Sequence, residues 1–213
     1  MTRLAVLATV ATLLCAAPAF GHGTAGARSG ETSLANGGFE NGLAGWTAVG
    51  ESAPCPWTTI SSGSSSFACH AGYGFTEPAP VTGDAFASTD FDRSSDSAPA
   101  EAVLSQRVSL GTHGRALLHW SDFISWDLVT YGAAQPRMVS VQIRTADGRR
   151  ILSTPYRRRI DPGTADFGTE GWRAHTVDIS RYSGRTVTLA FVLTMPEVAT
   201  GPATYSLDAV TIG

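Results

Sequence analysis

Short β-type runs recur about every 8 to 15 residues along this chain, with turn formers between them and no competing helical period. The clearest cover residues 102–110, 116–126, 137–144, 172–179, 185–193 and 204–212. Alternation sorts their faces. Val139, Val141 and Ile143 point one way, while Ser140, Gln142 and Arg144 point the other. Val187, Leu189, Phe191 and Leu193 share a face opposite Thr186, Thr188 and Ala190. One apolar face per strand suits two antiparallel sheets closed on a common core, so the fold class is all-β, a two-sheet antiparallel sandwich. Asp147-Gly148 predicts a hairpin joining Arg144 to Ile151. The stretch from Asp90 to Ala100 reads as loop, and Arg157-Arg158-Arg159 as a solvated turn.

The start of the chain carries export signals. Arg3 precedes an apolar and small-residue run from Leu4 to Leu14, and Ala19-Phe20-Gly21 offers small residues for cleavage. Residues 1–21 are therefore expected to be a signal peptide, 22–32 a flexible lead-in, and 33–213 one β-sandwich domain. The apolar run is shorter than the ~20 residues a bilayer requires. No later segment reads as a membrane span, and the expected destination is extracellular or periplasmic. A mature chain of about 190 residues is ample for one sandwich core. Charged residues make up 15% of the chain, the net charge is −3, and all 15 basic residues are arginine. No basic stripe with interleaved aromatics is present, so nucleic acid is not an expected partner, and a monomer is. In an exported chain Cys55 and Cys69 are expected to form a disulfide. Closing a loop of that size stabilises by about 3 kcal/mol in the chain-entropy view.

Two segments far apart carry a family resemblance. Leu34-Ala35-Asn36-Gly37-Gly38-Phe39-Glu40-Asn41-Gly42-Leu43-Ala44-Gly45-Trp46 resembles the opening of extracellular modules whose first strand reads N-G-G-F-E, followed by a G-L-x-G-W turn that aims Trp46 at the sheet. Ser206-Leu207-Asp208-Ala209-Val210-Thr211-Ile212 resembles their final strand. The chain is thus similar to the galactose-binding-like jelly rolls, including the family 4 and family 22 carbohydrate-binding modules. The resemblance implies that first and last strands meet. It also implies a structural calcium held by the Gly38 carbonyl and the Glu40 and Asp208 carboxylates, hard-oxygen ligands of the kind calcium takes.

Glycan binding is the function the resemblance implies. Sugars need flat ring faces beside polar forks. Trp120, Asp122, Ile124 and Trp126 share one side of their strand, so two indoles flank an acid. Trp120, Asp122, Trp126, Tyr131, Gln142 and Arg144 are the expected glycan contacts, whereas Trp46 and Trp172 are expected in the core. Catalysis has little support. Glycosidases pair two carboxylates about 5 to 9 Å apart, and Asp122 and Asp127 differ in strand parity. The five histidines do not cluster by spacing. A structural or adhesive surface protein is the competing reading, with a polysaccharide hydrolase or lyase behind it.

Overall fold

The computed structural model describes residues 32, 34–50, 55–62, 75, 78–91, 100–130, 132–197 and 201–213. The signal peptide, most of the lead-in, Tyr131, Cys69 and the Cys55 side chain lie outside the described residues, so the disulfide is an expectation only. No described helix is long and apolar enough to cross a membrane.

Among the described residues eleven strands run in chain order as β1 (Thr47–Gly50), β2 (Cys55–Ser61), β3 (Ala85–Phe91), β4 (Ala100–Ser109), β5 (Leu117–Asp127) and β6 (Arg137–Arg144). They continue as β7 (Ile151–Ile160), β8 (Ala165–Asp166), β9 (Arg173–Asp178), β10 (Thr186–Met195) and β11 (Ala203–Ile212). One sheet has the order β1-β4-β10-β6-β7. The other has the order β2-β3-β11-β5-β8, with β9 also pairing β5. Every pairing is antiparallel. The alternation in β6 and β10 places Val139, Val141, Ile143, Leu189, Phe191 and Leu193 in the core, against Leu118, Ile124 and Leu207 of the other sheet. The expected two-sheet sandwich is the observed fold.

Three local readings are corrected. Asn36 to Glu40 is a turn, not a strand: Asn36 and Phe39 take left-handed backbone with φ of 50° and 59°. The Asn36 side chain organises it, donating to the Gly42 and Ala44 carbonyls at 2.8 and 3.1 Å and accepting from the Asn41 amide. The turn still meets the last strand, because the Val210 amide donates to the Gly37 carbonyl at 2.9 Å. That approach requires glycine, since a Cβ on Gly37 would sit 1.8 Å from the Val210 carbonyl oxygen. Arg157-Arg158-Arg159 belongs to strand β7 rather than to a turn. Asp90 and Phe91, read as loop, close β3. The Asp147-Gly148 hairpin holds, with the Thr145 amide donating to the Arg150 carbonyl at 2.8 Å.

Candidate functional site

The expected contacts fall into two groups on opposite sides of the five-stranded sheet. Trp120, Asp122 and Trp126 all point inward from β5, as their shared parity requires. This makes Trp126 a packed ring and not an exposed platform, which corrects the expected role. Its strand ends one residue later, at Asp127, and Trp126 pairs with Ala203 on β11 and with Asp166 on β8. Its indole Nε1 donates to Thr164 Oγ1 at 3.0 Å, and the Arg158 guanidinium lies 5.2 Å from its ring centroid. Trp120 is 2% exposed, stacked on His175 at 4.8 Å and edge-on to Tyr156 at 5.2 Å. Trp172, expected in the core, instead packs partly buried beside Phe86 and Phe123.

Asp122 sits in this interior at 1% exposure, with His175 Nε2 3.0 Å from its Oδ1. The contact is an ion-pair distance with poor alignment, and neither atom forms a well-directed hydrogen bond. Histidine spacing gave no hint of this meeting, because it depends on β9 pairing alongside β5 to set Trp120 opposite His175. Burial, then the nearby Asp122 charge, pushes the Tyr156 hydroxyl up to about 12. Tyr205, fully buried, is pushed well above its usual value by the same two causes in the same order. A tyrosine whose folded value is raised contributes stability that is complete below its ordinary value near 10 and lost as pH rises toward the folded value. Melting temperature is therefore expected to fall between pH 10 and 12, and less steeply in Tyr156→Phe. Parallel declines in both proteins would remove Tyr156 from the account. Asp127 is elsewhere employed, accepting the Val129 and Thr130 amides at 3.2 and 3.0 Å.

Gln142 and Arg144 occupy the other side of the sheet. Arg144 Nε donates to Gln142 Oε1 at 2.8 Å, and Gln142 Nε2 donates to Ser140 Oγ at 3.4 Å. This chain of bonds fixes three polar side chains along β6. Cross-strand register adds neighbours that sequence reading missed. Thr188 lies opposite both Arg144 on β6 and Arg107 on β4, and Ser140 lies opposite Arg157 on β7. Directly opposed residues share a face. Ala190 and Val192 form the floor between them, joined by Val103. Floor side chains are little exposed, whereas Arg107 and Arg157 are exposed.

The expected calcium donors meet at one corner, around the turn of residues 81–84. Asp208, fully buried, accepts the Val81 and Thr82 amides at 2.7 and 2.9 Å and the Thr82 hydroxyl at 3.1 Å. Glu40 accepts the Asp84 and Ala85 amides at 3.1 to 3.3 Å. Gly83 is obligatory there, with φ +59° and a would-be Cβ 2.1 Å from Glu40 Oε1. Among the described residues neither carboxylate has a cationic side chain as partner. Both carboxylates are thus engaged by amide and hydroxyl donors, and among the described residues no three His, Cys, Asp or Glu side chains are grouped to share an ion.

No family model matches the chain, and no curated protein matches it. Among solved structures, TmCBM61 in complex with β-1,4-galactotriose superposes with a TM-score of 0.50 at 12% identity, over 86% of this chain and 98% of that one. The fold is that of a β-sandwich carbohydrate-binding module. A family 4 carbohydrate-binding module gives a TM-score of 0.39 at 15% identity, over 82% of this chain and 98% of that one. A cleaved adhesin domain of Lys-gingipain from Porphyromonas gingivalis gives 0.47 at 17% identity, over 86% and 96%.

Proposed function

We propose that this protein is an exported, non-catalytic glycan-recognition module that binds through the outer face of its five-stranded sheet. The observation that carries this reading is the hydrogen-bonded series Ser140–Gln142–Arg144, flanked by Thr188 and small side chains. Polar forks already held in place lose little conformational freedom on binding. With Trp126 packed inside, stacking on that ring is no part of the reading. In the same reading Gly38, Glu40 and Asp208 hold a calcium ion whose charge offsets the two carboxylates and so supports the turn at 81–84.

Affinity electrophoresis through gels containing soluble β-1,4-galactan, xylan, β-glucan or polygalacturonate tests the reading. Retardation by at least one glycan is expected. Gln142→Ala should weaken it about fivefold, as for loss of a hydrogen bond contributing ~1 kcal/mol, with the fold retained by circular dichroism and a small fall in melting temperature, because buried Gln142 also bonds Arg144 and Ser140. Free migration in every gel would end the glycan reading.

A second reading has its own observation. The outer side of the six-stranded sheet carries Phe75, Phe86, Phe123 and Trp172, with Phe167 41% exposed and 5.8 Å from Phe75. Phe86 and Phe123 are buried, Phe75 and Trp172 partly buried, and Phe167 alone of the five is exposed, so it is the rim of this cluster that suits protein contact.

A further inference from the structure

The arginines around the outer face are not treated alike. Three sit on β7 in succession, and two of them are neutralised by acids: Arg158 bonds Glu170 at 2.8 Å and Arg159 bonds Asp161 at 2.5 Å. Arg173 also pairs with Glu170, and Arg115 with Asp178. By contrast Arg107, Arg144 and Arg157 make no ion pair among the described residues. These three share one face of one sheet, by register across four strands. Arg107 and Arg144 flank Thr188, which sets their backbones about 10 Å apart at the usual strand spacing. Arg157 lies beside Ser140, four residues and about 13 Å along β6 from Arg144.

We infer that this face takes a linear glycan carrying carboxylates on its sugars, a polyuronate, with Arg107, Arg144 and Arg157 as its carboxylate contacts. The inference rests on the glycan reading above and names its ligand class. A planar guanidinium matches a carboxylate through two parallel N–H donors, and Arg is suited to that task where Lys is not. Arg144 is set up for it. Its Nε is spent on Gln142, which orients the side chain and leaves the two terminal Nη groups for a ligand. Ser140, Gln142 and Thr188 are buried between the cations, at 5%, 7% and 8% exposure, so they back the arginines and the ligand would meet the guanidinium groups above them. The floor of Ala190 and Val192 holds no charge to repel a polyanion. At its far end Thr194 donates to Glu101 at 3.4 Å, so the cationic strip stops before β4 begins. The whole protein carries −3 and would repel a polyanion in general, so attraction has to be local to this face.

The test is titration calorimetry of the mature protein with polygalacturonate oligomers, their methyl esters, neutral β-1,4-galacto-oligosaccharides and phosphatidylserine vesicles. Polygalacturonate is expected to bind, at least tenfold more weakly as the ester and more weakly still as salt rises. The triple change Arg107→Gln, Arg144→Gln, Arg157→Gln should abolish the preference without shifting the melting temperature. Arg144→Lys alone should lose several-fold, because its charge remains and its paired donors do not. Arg115→Gln, on a paired and remote arginine, should bind as wild type. Equal binding of acid and ester, or of the triple variant, overturns the inference. Binding confined to neutral galacto-oligosaccharides overturns it and leaves the glycan reading standing. Binding to vesicles as tightly as to polygalacturonate also overturns it, by making the face a general anion surface. Silence toward every glycan ends both.

Discussion

Trp46→Ala is expected to destabilise the fold by about 3 to 5 kcal/mol, the range for emptying a buried large aromatic site. Trp46 is 8% exposed and wedged between Phe39 at 5.4 Å and Phe191 at 6.1 Å, joining the opening turn to the central strand β10. Its indole Nε1 also donates to the Asn36 carbonyl at 3.1 Å, inside the same turn that holds Gly37 against β11. The truncation therefore removes packing and loosens the closure of the first segment on the last. Urea denaturation reads the effect as a lower midpoint, and a loss below about 1 kcal/mol would show that the site collapses without cost. Glycan binding at 10 °C should survive, because the outer face of β6 is on the other side of the sheet.

Removing the buried acid next to this closure is expected to cost a similar amount. Asp208→Ala would leave the Val81 and Thr82 amides and the Thr82 hydroxyl without their acceptor, and bonds to a charged group contribute about 1.5 to 3 kcal/mol each. A loss of about 3 kcal/mol or more is the expected sum once partial resolvation is allowed. Asp208→Asn should lose less, since one oxygen acceptor remains. Calcium separates two explanations of that number. An ion at a hundredfold excess over its dissociation constant adds about 2.7 kcal/mol, so chelator should lower the wild-type melting temperature and leave Asp208→Asn unmoved. Chelator without effect on wild type would make the corner a purely hydrogen-bonded one.

The sandwich was legible wherever polar and apolar side chains alternate along a strand, even where both faces end up buried. In β6 and β10 apolar and polar residues alternate cleanly, and both strands lie where the alternation puts them. Strand β7 hides because Ser153-Thr154-Pro155-Tyr156-Arg157-Arg158-Arg159 has no alternation to read. Tyr156 and Arg158 lean toward the seam between the sheets, and a register shift opposite Val141 to Ile143 accommodates Pro155. The opening turn misleads for a different reason. Its left-handed residues are imposed by the Asn36 bonds and by docking on Val210, neither of which leaves a periodic trace. At the candidate site Gln142 and Arg144 could be paired from their spacing within one strand. Arg107 and Arg157 needed the register of three further pairings. Trp126 was misplaced although the end of its strand was read to within one residue, because only the pairing of β8 and β11 on either side of it, which leaves no trace in the sequence, shows its ring to be packed.

Pro155 has a further consequence for how copies of this protein behave together. Strand β7 borders its sheet, and a border strand offers free backbone groups that invite another chain to zip on. Pro155 removes one donor from that border, and the bent register spoils its straightness. Arg157, exposed and without an ion pair among the described residues, then adds a charge beside that border. A border that is bent and charged in this way disfavours edge-to-edge pairing of two copies beside the candidate site.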